Sequence, residues 1–231
     1  MALIAAAGAG HAQAQLSPQF CGSLENAYGP FEYRFDRFKP APDDREPHQA
    51  KRRIVEDNHF TPEVEALIRG KTSTTPQHDL DYTLRAFPNH HRALATLMRL
   101  WERGRSPQPG DLPRPVECYF ERAVRFQPDD TTARLLYATF LHKDKRKPEA
   151  LQQLERARFH AGDNGFTHYN IGLVFLDVGE PEQALAQAHR AMDLGFERTG
   201  LKDKLVALGR WQDPAPPMPS SDAAPAPAPT K

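Results

Sequence analysis

The residues best equipped for chemistry are histidines. His90 and His91 stand together, with His59 and His78 upstream, and imidazole is both a metal ligand and a proton carrier. A zinc site needs three or four donors converging on one ion. Neighbours on a helix point about 100° apart, so His90 and His91 diverge. Neither H-E-x-x-H nor C-x-x-C occurs. The pair is read instead as capping or flanking the helix that starts after Pro88, and no metal or cofactor is expected. The chain also lacks G-x-S-x-G, a P-loop and a dinucleotide fingerprint. Gly162-Asp163-Asn164-Gly165 follows no strand pattern and reads as a turn, and Asp129-Asp130 after Pro128 reads as a helix start. With no residues for catalysis, the chain is not expected to be an enzyme.

Cys21 and Cys118 are the whole cysteine inventory. In an exported protein an even pair reads as one disulfide; the alternative is two buried thiols acting as small hydrophobes. The N-terminus bears on this choice. Ala2 to Gly10 is small and apolar, and Ala12-Gln13-Ala14 reads as an A-x-A signal-peptidase site. The apolar core is short and no Lys or Arg precedes it. Residues 1–14 are therefore expected to be a truncated signal peptide of a periplasmic protein, with Met1 an internal start. The alternative is an Ala-rich tail on a cytoplasmic protein. Given export, a Cys21–Cys118 bridge would pin the N-terminal segment to the remaining fold. Closing a loop of roughly 100 residues contributes up to about 4–5 kcal/mol in the chain-entropy model.

Composition narrows the partners. Thirty basic and thirty acidic residues cancel among 231, which gives no broad basic face for nucleic acid. No apolar run reaches the ~20 residues needed to span a bilayer. At this length one domain with a substantial core is the default.

The elements that must carry any site repeat. Glu121-Arg122-Ala123 recurs as Glu155-Arg156-Ala157 and as His189-Arg190-Ala191, 34 residues apart each time. Ala150-Leu151 maps onto Ala184-Leu185, Gln153 onto Gln187, Ala138 onto Gly172 and Leu141 onto Phe175 at the same spacing. Pro88 and Pro128 close two earlier units. On these residues the chain resembles the tetratricopeptide-repeat family, in its bacterial exported form, from roughly Phe60 to Trp211. Gly172, Phe175, Ala184 and Ala191 fill the family's small, bulky, Ala and Ala positions in one unit, and Ala138, Leu141, Ala150 and Ala157 fill them in the unit before. Gly162 and Phe196 stand where the family often has Pro. The units at 131–164 and 165–198 match most fully, that at about 89–128 less, and a hairpin at 60–87 least. The resemblance implies an all-α, right-handed α-solenoid of antiparallel helix pairs, with about three to four hairpins and a C-terminal capping helix.

Four regions follow: the signal segment 1–14, an irregular aromatic segment and linker at 15–58, the solenoid at 59–211, and a disordered Pro/Ala-rich tail at 212–231. Phe20 to Leu24 and Tyr28 to Phe35 are aromatic and broken by Gly29-Pro30, which favours extended or turn backbone. This segment must bury itself, either as a cap on the first hairpins or inside the solenoid groove as a regulator. Residues 39–53 are polar and Pro-rich and read as a linker. Thr61-Pro62-Glu63 starts a helix with an apolar stripe of Val64, Leu67 and Ile68, ended by Gly70. Pro76 to Phe87 gives a second helix, and Leu94, Leu97, Met98 and Trp101 mark a third. Gly104 to Pro115 is an inserted loop, and Leu201, Leu205, Val206 and Leu208 form a terminal amphipathic helix that Trp211 ends.

The resemblance places the functional surface on the concave face, lined by the first helix of each unit. Carried onto this sequence, those positions are Arg92, Arg99, Glu102 and Arg103; then Leu135, Leu136, Thr139, His142 and Lys143; then Phe166, Tyr169, Asn170, Leu173 and Asp177. The implied groove is basic at one end and aromatic-polar at the other. Asn170 matches the Asn by which some relatives grip peptide backbone or a C-terminal carboxylate, with Lys143, His142 and Arg99 supplying charge. The expected function is a non-enzymatic scaffold that binds a peptide or protein partner in the bacterial envelope. The alternative is an accessory subunit of an envelope transport, secretion or pilus complex, in which the repeats serve assembly only.

Overall fold

The computed structural model describes residues 18–34, 48–71 and 74–214. The expected signal segment 1–14, Phe35, residues 39–47 of the expected linker and the residues from Ala215 onward lie outside the described residues. The described residues are helical, with no strand among them. The chain divides into two compact units, Met1–Asp163 and Asn164–Lys231. The first holds α1 (Pro18–Cys21), α2 (His48–His59), α3 (Pro62–Glu65), α4 (Pro76–Ala86), α5 (His91–Gly104), α6 (Val116–Phe126), α7 (Thr131–Lys143) and α8 (Lys147–His160). The second holds α9 (Gly165–Val178), α10 (Pro181–Asp193) and α11 (Gly200–Ala207).

In the first unit two turns repeat. Phe87 and Gln127 end α4 and α6 with nearly the same backbone, φ −130°, ψ 85° and φ −128°, ψ 89°. Pro88 and Pro128 follow and block a further helical turn. His90 N–H then donates to the Phe87 carbonyl at 3.0 Å, and Asp130 N–H to the Gln127 carbonyl at 3.1 Å. Each of these residues caps the next helix: His90 Nδ1 accepts from Ala93 N–H at 3.1 Å, and Asp130 Oδ1 from Ala133 N–H at 3.0 Å. His90 is thus the cap that the sequence indicates, with imidazole doing the work of the usual Asp or Ser.

Small residues let these helices close. Ala93, Ala123, Ala133, Ala138, Ala150 and Ala157 are all fully buried. α6 packs on α7, and α7 on both α5 and α8. Trp101, Phe120 and Phe140 fill the space between, with Phe140 4.9 Å from Trp101 and 5.0 Å from Phe120. Burying such a side chain contributes about 1.5–3 kcal/mol. The 104–115 insertion folds back on this core. Leu112 is buried, Val116 N–H donates to the Pro107 carbonyl at 2.9 Å, and the Arg105 guanidinium lies 4.3 Å from the Trp101 ring.

Two early expectations are corrected. The helix opened by Thr61-Pro62 does not run to Gly70. It stops at Glu65, because Ile68 N–H bonds the Glu63 carbonyl and Leu67 N–H the Val64 carbonyl, a Schellman closure. Leu67 takes the left-handed conformation at φ 57° and buries its side chain, whereas Ile68 faces solvent. The linker reading of 39–53 fails over 48–53, which belong to helix α2. Its sequence is mostly polar, and it is anchored by Val55, which is buried with Ala86 and Phe87.

In the second unit α9 packs on α10, and α11 on both. Asn164 caps α9, its Oδ1 accepting from Thr167 N–H at 3.0 Å. Gly179 ends α9 in the left-handed conformation, φ 82°, as a glycine C′ residue does. Gly172 permits close approach: a Cβ there would lie 2.4 Å from Leu201 Cδ2 and 3.2 Å from Gln187 Cβ. Leu201 and Leu205 bury as the expected capping stripe, but Val206 and Leu208 are exposed.

Candidate functional site

Residues 21–34 lie on the first unit, and their seat decides which surfaces remain open. Cys21 and Cys118 form a disulfide with Cα atoms 5.0 Å apart. Beside it on α6, Arg122 donates to the Ser23 carbonyl, and Arg125 to the Gly22 carbonyl at 2.7 Å. Further on, Phe31 N–H bonds the last carbonyl of α4, that of Ala86, at 2.8 Å. Phe31 meets Phe87 at 5.4 Å, and Tyr33 stacks 4.1 Å from the His90 ring. Asn89 bridges the segment to both turns. Its Oδ1 accepts from Tyr33 N–H at 3.0 Å, and its Nδ2 donates to Glu32 Oε1 at 2.5 Å and Asp130 Oδ2 at 2.7 Å.

Charges complete this junction. His91 Nε2 lies 2.8 Å from Asp130 Oδ2, and Arg34 spans Glu32 and Asp129 at 2.9 Å each. Burial alone would raise the Asp130 pKa; hydrogen bonds from His91, Ala133 N–H and Asn89 overcome it and hold the carboxyl below its usual value. His90, desolvated by burial, is held below the usual imidazole value despite Glu56 at 3.1 Å. The His90-His91 pair therefore serves two structural contacts that point apart. No group of three or more His, Cys, Asp or Glu suited to a metal ion occurs among the described residues.

The segment is thus seated on α2, α4, α6 and the two turns.

The expected basic end of the groove is engaged within the fold. Arg92 forms a two-pronged pair with Glu65. Arg99 donates to the Glu65 carbonyl at 2.9 Å and to Thr96 Oγ1 at 2.8 Å, and Arg103 to the Leu67 carbonyl at 3.1 Å. Arg99 and Arg103 close open carbonyls where α3 stops short, and Arg92 holds the Glu65 carboxylate beside them. On α7, Lys143 pairs with Glu102, Thr139 donates to the Leu135 carbonyl at 2.8 Å, and His142 is half-buried. Asn170 on α9 spends its amide on the Phe166 carbonyl at 2.8 Å. Arg99, Lys143 and Asn170 each hold a group within their own unit.

What stays open is aromatic. Phe166 is 56% exposed, its ring 5.7 Å from Phe196. Tyr169 is half-buried and 5.1 Å from the same Phe196. Its hydroxyl runs beside Gly200, where a Cβ would lie 2.7 Å away. Leu173 is half-buried and Asp177 exposed further along α9. Phe196 and Met192 also line a 250 Å³ pocket rimmed by Arg198 and Lys202. Sequence reasoning missed Asn89, Glu32 and Arg34, because hydrogen bonds between residues 41 to 95 positions apart leave no local pattern.

Compared with protein-family models and with curated proteins, the chain matches none.

Proposed function

We propose that this chain is a tetratricopeptide-type α-solenoid scaffold that holds a protein or peptide partner and performs no chemistry of its own. The observation that carries this reading is the open aromatic pair on α9, Phe166 and Tyr169 backed by Phe196, at positions the repeat pattern assigns to the concave face. Exposed aromatics on a rigid helix lose little side-chain entropy on binding and dominate many interfaces. The 34-residue recurrence and the duplicated turns at Phe87–His90 and Gln127–Asp130 support stacked hairpins. The Cys21–Cys118 bridge supports residence in an oxidising compartment, the periplasm. No described helix is long and apolar enough to cross a membrane.

The test is capture from a native envelope fraction by the intact chain and by a Phe166→Ala, Tyr169→Ala double variant of equal melting temperature. Loss of a specific partner on substitution supports groove binding. Unchanged capture contradicts it and favours an accessory subunit held in an envelope complex by other faces.

A further inference from the structure

The chain carries its own example of how it holds an extended backbone. Along α6, Cys118, Glu121, Arg122 and Arg125 form one stripe, at the i, i+3, i+4, i+7 spacing that shares a helix face. Residues 21–23 lie across it. Cys118 holds Cys21 covalently; Arg122 donates to the Ser23 carbonyl, with the Cys21 and Gly22 carbonyls 3.5 Å from the same nitrogen; Arg125 takes the Gly22 carbonyl. Of residues 21–23 the two arginines hold main-chain oxygens, and Arg125 also pairs with Glu121 on its own helix at 3.1 Å.

Thirty-four residues on, α8 presents the same stripe uncovered, as Gln152, Glu155, Arg156 and Phe159. The correspondence is structural as well as sequential. Gln127 and Ala161 end α6 and α8, and Asp130 and Asn164 cap the helices that follow, each pair at the same spacing. Inward neighbours agree too: Phe120 with Leu154, and Ala123 with Ala157, are all fully buried. The outer face differs. Arg122 is 1% exposed beneath the N-terminal segment, while Arg156 faces solvent with no partner among the described residues. Phe159 is 83% exposed. Alongside runs a cleft of 310 Å³ walled by Glu121, Arg125, Gln152 and Arg156, where Glu121 Oε2 has no hydrogen-bond partner.

We infer that the outer face of α8 docks an extended segment of a partner polypeptide, gripped through main-chain carbonyls by Arg156 and Gln152 and packed by one apolar side chain on Phe159. The occupant is extended because a helix spends its carbonyls internally and offers Arg156 no acceptor. It is neutral because the cleft sets Glu117, Glu121 and Glu149 against Arg125, Arg146 and Arg156, and on the stripe Glu155 pairs with Arg158. The inference rests on α8 residues and the proposed function on α9 residues, so the two readings stand or fall independently.

The experiment pans a displayed library of random twelve-residue peptides on the intact, disulfide-bonded chain. Enriched peptides are then titrated by fluorescence anisotropy. The expected peptides carry an apolar residue and few acidic ones. Their affinity falls about tenfold or more in Arg156→Ala and in Phe159→Ala and is unchanged in the Phe166→Ala, Tyr169→Ala variant. Both substituted α8 residues face solvent, so the variants fold. Failure to enrich peptides, or affinities indifferent to Arg156 and Phe159, overturns the inference. A synthetic peptide of residues 214–231 that competes, with tighter library binding by a chain lacking that tail, also overturns it by assigning the face to the chain's own C-terminus.

Discussion

Cys21 is bonded to Cys118 across 97 residues of sequence, on the same face of α6 from which Arg122 holds the Ser23 carbonyl. A covalent and a charged contact thus fix the N-terminal segment within one helical turn of each other. The segment is part of the fold, and removing it would expose Arg122, Cys118 and Phe87, which are now buried.

The bridge has a measurable weight. Closing a loop of this length limits the unfolded chain by up to about 4–5 kcal/mol, a large share of the 5–15 kcal/mol typical of domain stability. Cys118→Ser, or reduction of the native chain, should therefore lower the urea midpoint substantially. Mass analysis of the unreduced, unfolded protein should find no alkylatable thiol. An unchanged midpoint with reductant contradicts the assigned role.

Gly29 is a second anchor. It sits at φ 104°, and a Cβ there would lie 2.6 Å from the Ala86 carbonyl oxygen. Gly29→Ala should cost about 1–3 kcal/mol through backbone strain and overlap. The loss should appear as faster hydrogen exchange at Phe31 N–H, the donor to that carbonyl. Wild-type protection in the variant would show that the contact is not required.

Acid should loosen the turns first through His90. Its Nδ1 accepts from Ala93 N–H, so the folded protein keeps the ring neutral, and burial holds its pKa below 6.5. The unfolded chain binds that proton at about pH 6.5. Stability is thus fully present above this value and declines as pH falls through and below it. Asp130, held below its usual value chiefly by His91 against the effect of burial, adds a further loss at lower pH. His90→Asn keeps a capping oxygen but cannot titrate, so urea midpoints between pH 7 and 5 should vary less than in wild type. Equal slopes would contradict the assignment.

Arg99 and Arg103 should behave as structural residues. Their bonds go to the carbonyls of Glu65 and Leu67 at the end of α3. Arg99→Ala, Arg103→Ala should cost about 1 kcal/mol of stability, discounted for exposure, and leave partner capture intact. Loss of capture without loss of stability would restore these residues to a binding role.

The helices over 76–207 were legible because their apolar spacing, caps and 34-residue recurrence are local signals. Asp130 and Asn164 announce caps by residue type, and Cys21–Cys118 follows from there being only two cysteines. α3 was overestimated because Leu67 and Ile68 continue an apolar pattern, while tertiary burial of Leu67 in a left-handed conformation ends the helix. α2 was missed because its polar sequence hides one anchoring residue, Val55. The basic residues expected in the groove were legible as a cluster but not as already engaged. Arg92 and Lys143 hold the carboxylates of Glu65 and Glu102, while Arg99 and Arg103 hold main-chain carbonyls at and just beyond the end of α3, and no sequence pattern records an acceptor of that last kind.

The most direct test of the scaffold reading places a photo-crosslinking amino acid at Phe166 in the cell of origin, with exposed Ile68 of the first unit as the comparison position. A discrete adduct to one partner chain from position 166, absent from position 68, is the predicted result. No adduct from position 166, or the same adducts from both positions, would contradict binding at the α9 face.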